Sequence, residues 1–227
     1  IDDIRQKLQR SSSEKQIEQW KHMFGDSIPC HGVDQVKTHH IGLEMVRRTR
    51  SGGIELAFAL GESLWSSSKL EERSIATQLI GAMGRHISGN DFDRFEVWAS
   101  SLTNHANADS LAMNLISRSL GNKPSLVTRL KRWIENPKQE VRRSAIMSFV
   151  PLVRQGRFFS DAFSVLEYAM EDSSPEVQEA VGTVLMESAR MNKDRVMEFI
   201  RPWIGKSPRT ILSKAAEKLS PAQRDEV

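Results

Sequence analysis

The 227-residue chain has one cysteine, Cys30, and one tyrosine. A single thiol excludes an intramolecular disulfide and any cysteine-rich zinc ribbon or finger, and it fits a reducing, cytoplasmic setting. No apolar run approaches the roughly 18 residues that a membrane helix needs, and the mean hydropathy is −0.44, so no membrane-spanning segment is expected. The opening IDDIRQKLQR lacks both the basic start and the apolar stretch of a secretion signal. Asn-Gly and Asp-Gly hairpin dipeptides are absent and no stretch alternates with period two, which argues against a β-rich fold. There is no G-x-x-x-x-G-K-[ST] loop, no G-x-G-x-x-G, no G-x-S-x-G elbow and no H-E-x-x-H. The chemistry of nucleotides, lipases and zinc proteases therefore has no support.

What is present is helical periodicity. With 39% hydrophobic and 27% charged residues, the chain can bury a substantial core. Apolar residues recur at three- and four-residue spacing in segments such as KLEERSIATQLIGAMGRHI, SLVTRLKRWI and PEVQEAVGTVLMESAR. The breaks between them are short and carry cap chemistry, as in Ser88-Gly89-Asn90-Asp91 and Ser173-Ser174-Pro175. LEERSIATQLIGAM, QEVRRSAIMSFVPL and PEVQEAVGTVLMES share one pattern, and their glutamates Glu71, Glu140 and Glu176 lie 69 and 36 residues apart. A period of about 35 is that of helical-hairpin repeats, which bury their apolar faces on one another. The small residues Ala76, Ala145 and Gly182 would let helices approach closely. The expected fold is all-α, a curved α solenoid of HEAT-like hairpin repeats in a single domain over residues 1–227. Within it, residues 1–30 form an N-terminal helical pair and residues 31–220 the repeat array, joined through the irregular GDSIPCHGV.

Charge is mildly positive overall and uneven. From Lys123 onward there are 18 Lys+Arg against 14 Asp+Glu, +4, whereas the first 122 residues hold 14 against 15, −1. A polyanionic partner would favour the second half. Arg47, Arg48 and Arg50, then Lys131 and Arg132, then Arg142 and Arg143 fall in successive units. They read either as a phosphate-binding stripe or as solvated faces. Lys206 and Arg209 flank Ser207-Pro208 before the last expected helix, a place from which a helix N-terminal region can touch phosphate. Asp109, in LTNHANADSLAMNLI, reads either as a chemically active carboxylate or as a first-turn acid that stabilises a helix dipole. Cys30-His31 has no second pair at ligand spacing and His39 and His40 diverge on a helix, so neither a metal nor a cofactor is expected. Trp65, Trp98, Trp133 and Trp203 lie in apolar helical patterns and read as packing residues, with Trp20 anchoring the N-terminal pair.

The order of LWSSSKLEERSIATQLIGAM, TNHANADSLA, VRRSAIMSFV, PEVQEAVGTVLMESARMNKDRVMEFI and PRTILSKAAEKL resembles the DNA alkylation repair glycosylases built of HEAT-like repeats, the AlkD type. The similarity runs from about His31 to Leu219. It implies a C-shaped solenoid that holds duplex DNA in a basic concave groove and removes alkylated, cationic purines. The catalytic aspartate of the family's N-W-D-x-x-D pattern falls on Asp109. The arginine that contacts the DNA backbone near the lesion falls on Arg143. The family's two tryptophans fall instead on His105 and Thr183, and the aspartate after the first of them on Ala106.

An alkylated ring nitrogen makes the purine a good leaving group, and the sugar becomes positive as the glycosidic bond breaks. A carboxylate beside it stabilises that charge and positions water. Aromatic faces would add about 0.5–2 kcal/mol each. Their loss would slow the reaction by about tenfold or more, since about 1.4 kcal/mol is tenfold. Three function classes follow. The first is a monofunctional DNA glycosylase with Asp109 as its carboxylate and with Arg143, Arg142, Arg47, Arg48, Lys206 and Arg209, beside His105 and Thr183, facing DNA. The second is a weakly catalytic DNA-structure binder, and the third a protein-interaction scaffold. The expected partner is duplex DNA, bound by a monomer in the cytoplasm, at the nucleoid if the cell is bacterial.

Overall fold

A computed structural model describes residues 1–227, and its regular structure is helical throughout, with no strand. The helical-repeat architecture that the periodicity predicts is the one observed. Packing divides the chain into two compact units, Ile1–Trp98 and Ala99–Val227, and the division falls inside a helix.

The first unit holds α1 (Asp2–Arg10), α2 (Glu14–Phe24), α3 (Gln35–Thr49), α4 (Gly53–Trp65), α5 (Leu70–Gly81) and most of α6 (Phe92–Ser100). Its helix starts are set by side-chain caps. Ser13 accepts from the Gln16 N–H, Asp34 from the Lys37 N–H, and Ser88 and Asp91 form a capping box ahead of α6. The core is aromatic, with Trp65 stacked on Trp98 at 4.4 Å between ring centroids and Phe58 on Phe95 at 6.1 Å.

Two adjacent glutamates fix the irregular segment that joins the N-terminal pair to the repeats. The buried Glu71 carboxylate accepts the backbone N–H groups of His31, Gly32 and Val33 at 2.8, 2.9 and 3.0 Å. Glu72, also buried, takes Arg5 of α1 and His31 Nε2. Burial pushes the Glu72 carboxyl up, but the hydrogen bonds from Arg5 and His31 outweigh it and hold it below its ordinary value. Burial, with the Glu71 charge behind it, pushes the Cys30 thiol up, away from the thiolate a nucleophile needs. Trp20 donates from Nε1 to the Val33 carbonyl, which ties α2 to the same segment.

The second unit holds α7 (His105–Leu111), α8 (Ser117–Asn122), α9 (Val127–Ile134), α10 (Gln139–Met147), α11 (Val150–Val153), α12 (Phe159–Leu166), α13 (Pro175–Met191), α14 (Lys193–Ile200), α15 (Arg209–Ala216) and α16 (Pro221–Arg224). Four of them form a row: α10 packs between α7 and α13, and α13 between α10 and α15. At Gly182 the row is tight, because a Cβ there would lie 2.8 Å from Lys214 Cβ and 3.3 Å from the Ile211 carbonyl oxygen. The small residue expected at that position is required by this approach. Trp133 is buried with the core and Trp203 is half-buried. No helix is long and apolar enough to cross a membrane.

Candidate functional site

The α7 helix starts at Asn104, whose side chain accepts the Asn107 backbone N–H at 2.8 Å. That cap leaves Asp109 beyond the first turn, where no acid lies, so Asp109 does not serve as a dipole-stabilising first-turn residue. His105 and Asp109 are four residues apart and share one helix face. Shortly after Asp109 the helix widens into a π-turn over Ala112–Ile116 before continuing as α8. Such turns interrupt regular helices frequently at functional sites.

Asp109 meets Arg143 of α10 edge to edge. Arg143 Nε donates to Asp109 Oδ1 at 2.7 Å and Nη2 to Oδ2 at 2.8 Å, a bidentate pair. Nη1 donates to the Glu176 carbonyl at 2.6 Å and to Glu179 Oε2 at 3.0 Å. Four guanidinium N–H groups are thus engaged, and the Arg143 side chain is only 5% exposed, against 19% for Asp109. Burial pulls the guanidinium down, but the hydrogen bonds and charges of Asp109 and Glu179 outweigh it and hold it well above its ordinary value. Arg143 therefore stays charged and orients Asp109.

The network continues across the row. Glu179 Oε1 accepts from Lys214 Nζ of α15 at 3.2 Å, and its side chain is 49% exposed. Burial raises the Glu179 carboxyl, yet Arg143 and Lys214 outweigh that and hold it below its ordinary value. Asp109, Arg143, Glu179 and Lys214 form a ladder of alternating sign on α7, α10, α13 and α15, at separations of 34, 36 and 35 residues. On the same side, His105 Nδ1 lies 2.9 Å from Glu176 Oε2. Thr183 Oγ1 donates to the Glu179 carbonyl at 2.7 Å. Asp109, Arg143, His105 and Thr183 are thereby brought together through Glu176 and Glu179 of α13.

A model of the family described as DNA alkylation repair enzyme matches residues 4–219. The chain belongs to that family. Among solved structures, a predicted DNA alkylation repair enzyme from Enterococcus faecalis is similar, with a TM-score of 0.78 at 10% identity over 93% of this chain and 98% of that one. At that identity the likeness concerns the fold. No curated protein matches the chain. Membership of the DNA alkylation repair enzyme family gives the chain a role in DNA repair.

Of the other cations of this DNA alkylation repair family member some are paired and some, Arg50 and Arg132 among them, are exposed. Arg142, next to Arg143, points to another neighbour: its Nε and Nη2 grip Asp172 at 2.7 and 3.0 Å, and Nη1 holds the Asn136 carbonyl at 2.9 Å. Arg142 closes the turn between α9 and α10 onto the segment before α13. Lys131 lies over the Tyr168 ring at 5.7 Å. In the first unit Arg48 pairs with Asp3 and Glu44, while Arg47 is exposed. Lys206 and Arg209 are exposed beside Ser207, whose buried hydroxyl has no hydrogen-bond partner. No group of three or more His, Cys, Asp or Glu side chains could hold a metal ion. Glu176, Glu179 and Lys214 were not singled out as site residues from sequence. The signal for Glu179 and Lys214 is the 35-residue register itself, followed from Arg143 onward.

Proposed function

We propose that this protein is a monofunctional DNA glycosylase that hydrolyses the N-glycosidic bond of alkylated, cationic purines in duplex DNA, with Asp109 as the charge-stabilising carboxylate. One observation carries the reading: a partly exposed aspartate beyond the first turn of α7, both oxygens oriented by a buried arginine. The bidentate pair uses two of the lone-pair sites of the carboxylate and leaves the others for the substrate. As the C1′–N bond breaks, its electron pair quenches the charge of the ring and the base leaves neutral. The sugar becomes an oxocarbenium-like cation facing Asp109, water adds at C1′, and its proton passes to solvent. Arg143 fixes the carboxylate geometry before substrate arrives, which is where electrostatic catalysis gains most. The exposed Arg47, Lys206 and Arg209, with Arg48, are the cations this reading offers to the DNA backbone, whereas Arg142 acts through the turn it closes.

A second reading is favoured by a specific observation. His105 is tied to Glu176 and Thr183 is bonded back to its own helix, so neither position presents the face of a tryptophan to a sugar cation. On this reading the protein binds DNA and catalyses weakly. Release of methylated purines from alkylated duplex DNA separates the two. The glycosylase predicts release by the wild type and a loss of about 100-fold in Asp109→Asn; the weak catalyst predicts bound duplex with no release from either protein.

A further inference from the structure

The Glu179 carboxylate occupies a seat made by two cations from different helices, Arg143 Nη1 at 3.0 Å and Lys214 Nζ at 3.2 Å. Arg143 does not depend on Glu179 for its position. Asp109 and the Glu176 carbonyl hold its other N–H groups, so the guanidinium would stay in place if Glu179 left. The stem of Lys214 is packed against Gly182, where only a glycine admits it, which keeps the ammonium on this side of α15. Glu179 is the most exposed of the three, with half its side chain in solvent on the outer face of α13, and it has no other side-chain hydrogen bond holding it there than those of the two cations.

We infer that this seat is a binding site for a backbone phosphodiester of DNA, and that in the unbound protein Glu179 fills it as an internal mimic of the phosphate. The inference rests on the reading of duplex DNA as substrate. A phosphodiester oxygen and a carboxylate oxygen ask for the same donors, and a guanidinium with an ammonium is a standard phosphate-binding pair. Placement supports the assignment: a single guanidinium spans Asp109 and the seat, so a phosphate there lies next to the sugar facing Asp109. The role given to Lys214 is new, since of the two cations of the seat the sequence points only to Arg143. So is the role of Glu179, a residue whose negative charge opposes binding. On docking, the phosphate takes the two cations, Glu179 swings out, and Asp109 keeps its bidentate partner. Until then the plug keeps both cations neutralised, which limits tight binding of ordinary anions.

The test is fluorescence anisotropy with unmodified duplex DNA across a salt series, on wild type, Glu179→Gln, Lys214→Ala and Glu217→Gln, with circular dichroism melts as the fold control. Glu217 lies one turn from Lys214 and is exposed, so its variant reports the general effect of removing one negative charge. Glu179→Gln is expected to bind about three- to tenfold more tightly, the scale of two surface ion pairs relieved, and Glu217→Gln much less so. Lys214→Ala is expected to bind more weakly and to lower the slope of log affinity against log salt by about 0.9, one phosphate contact. Equal or weaker binding by Glu179→Gln, an equal gain in Glu217→Gln, an unchanged slope in Lys214→Ala, or no binding by any variant would overturn the inference. Base release by the wild type is measured in parallel, so that loss of the glycosylase reading is seen separately from loss of the seat.

Discussion

Replacing Arg143 with alanine tests the physical claim on which the site rests, that a buried guanidinium holds three helices and orients Asp109. The side chain is 5% exposed and donates to Asp109 twice, to Glu179 and to the Glu176 carbonyl. Removing one partner of a fully buried ion pair costs about 3–5 kcal/mol, because the remaining charge is left unpaired away from water. Here Asp109 is 19% exposed and Glu179 half exposed, so water recovers part of that cost. The expectation is about 2–4 kcal/mol. For a chain of this length 1 kcal/mol moves the midpoint by about 2–4 °C, so the variant should melt roughly 4–16 °C below wild type. Urea unfolding of Arg143→Ala, Asp109→Ala and the double variant would show a coupling of about 1–3 kcal/mol, since the two side chains share their bonds. A loss below about 0.5 kcal/mol in Arg143→Ala, or strictly additive single effects, would refute the reasoning.

Three other outcomes follow from the geometry. Glu71→Gln gives up a carboxylate that receives three backbone N–H groups; a destabilisation of about 3 kcal/mol is expected, with faster hydrogen exchange at His31, Gly32 and Val33. Protection of those amides unchanged in the variant would contradict it. Gly182→Ala should gain about 1 kcal/mol of helix propensity but lose more to the contacts with Lys214 and Ile211, for a net loss of up to about 2 kcal/mol in urea unfolding; a stabilised variant would show the approach to be loose. Glu72, Glu179 and Glu187 are held below their ordinary value of 4.5. A depressed folded value contributes stability that is complete above the unfolded pKa and lost as pH falls through the folded one. Thermal stability should therefore fall as pH drops below about 4.5, and Glu72→Gln should flatten that acid limb; an unaltered limb would remove Glu72 from the explanation.

Much of this fold is legible in the sequence because its signals are local. Three- and four-residue periodicity depends only on neighbours along one helix, and it marks the helices of both units. The Ser88–Asp91 box and Pro175 at the start of α13 are readable for the same reason. The 35-residue register is legible too, whereas the need for a small residue at Gly182 comes from the approach of Lys214 and Ile211. The choice of partners is much harder to read. Arg142 and Arg143 are adjacent, yet about 100° of helix rotation sends one to Asp172 and the other to Asp109 and Glu179. Nothing in the run VRRSA states which arginine turns inward. Asp109 looks like a first-turn acid until Asn104 is seen to cap the helix, which moves the aspartate a turn further along. Glu71 marks the repeat pattern, but that it clamps a loop 40 residues earlier depends on tertiary packing. The resemblance placed Asp109 and Arg143 in one site, whereas Glu179 and Lys214 emerge only when the register is followed to the end of the row.

The glycosylase reading is tested most directly by incubating methylated duplex DNA with wild-type protein and with Asp109→Asn and quantifying the released purine bases by chromatography. Release by wild type, reduced about 100-fold in the variant while duplex affinity is retained, is the predicted result. Release that is the same in both proteins, or absent from both, would contradict the assignment of Asp109 as the carboxylate of a DNA glycosylase.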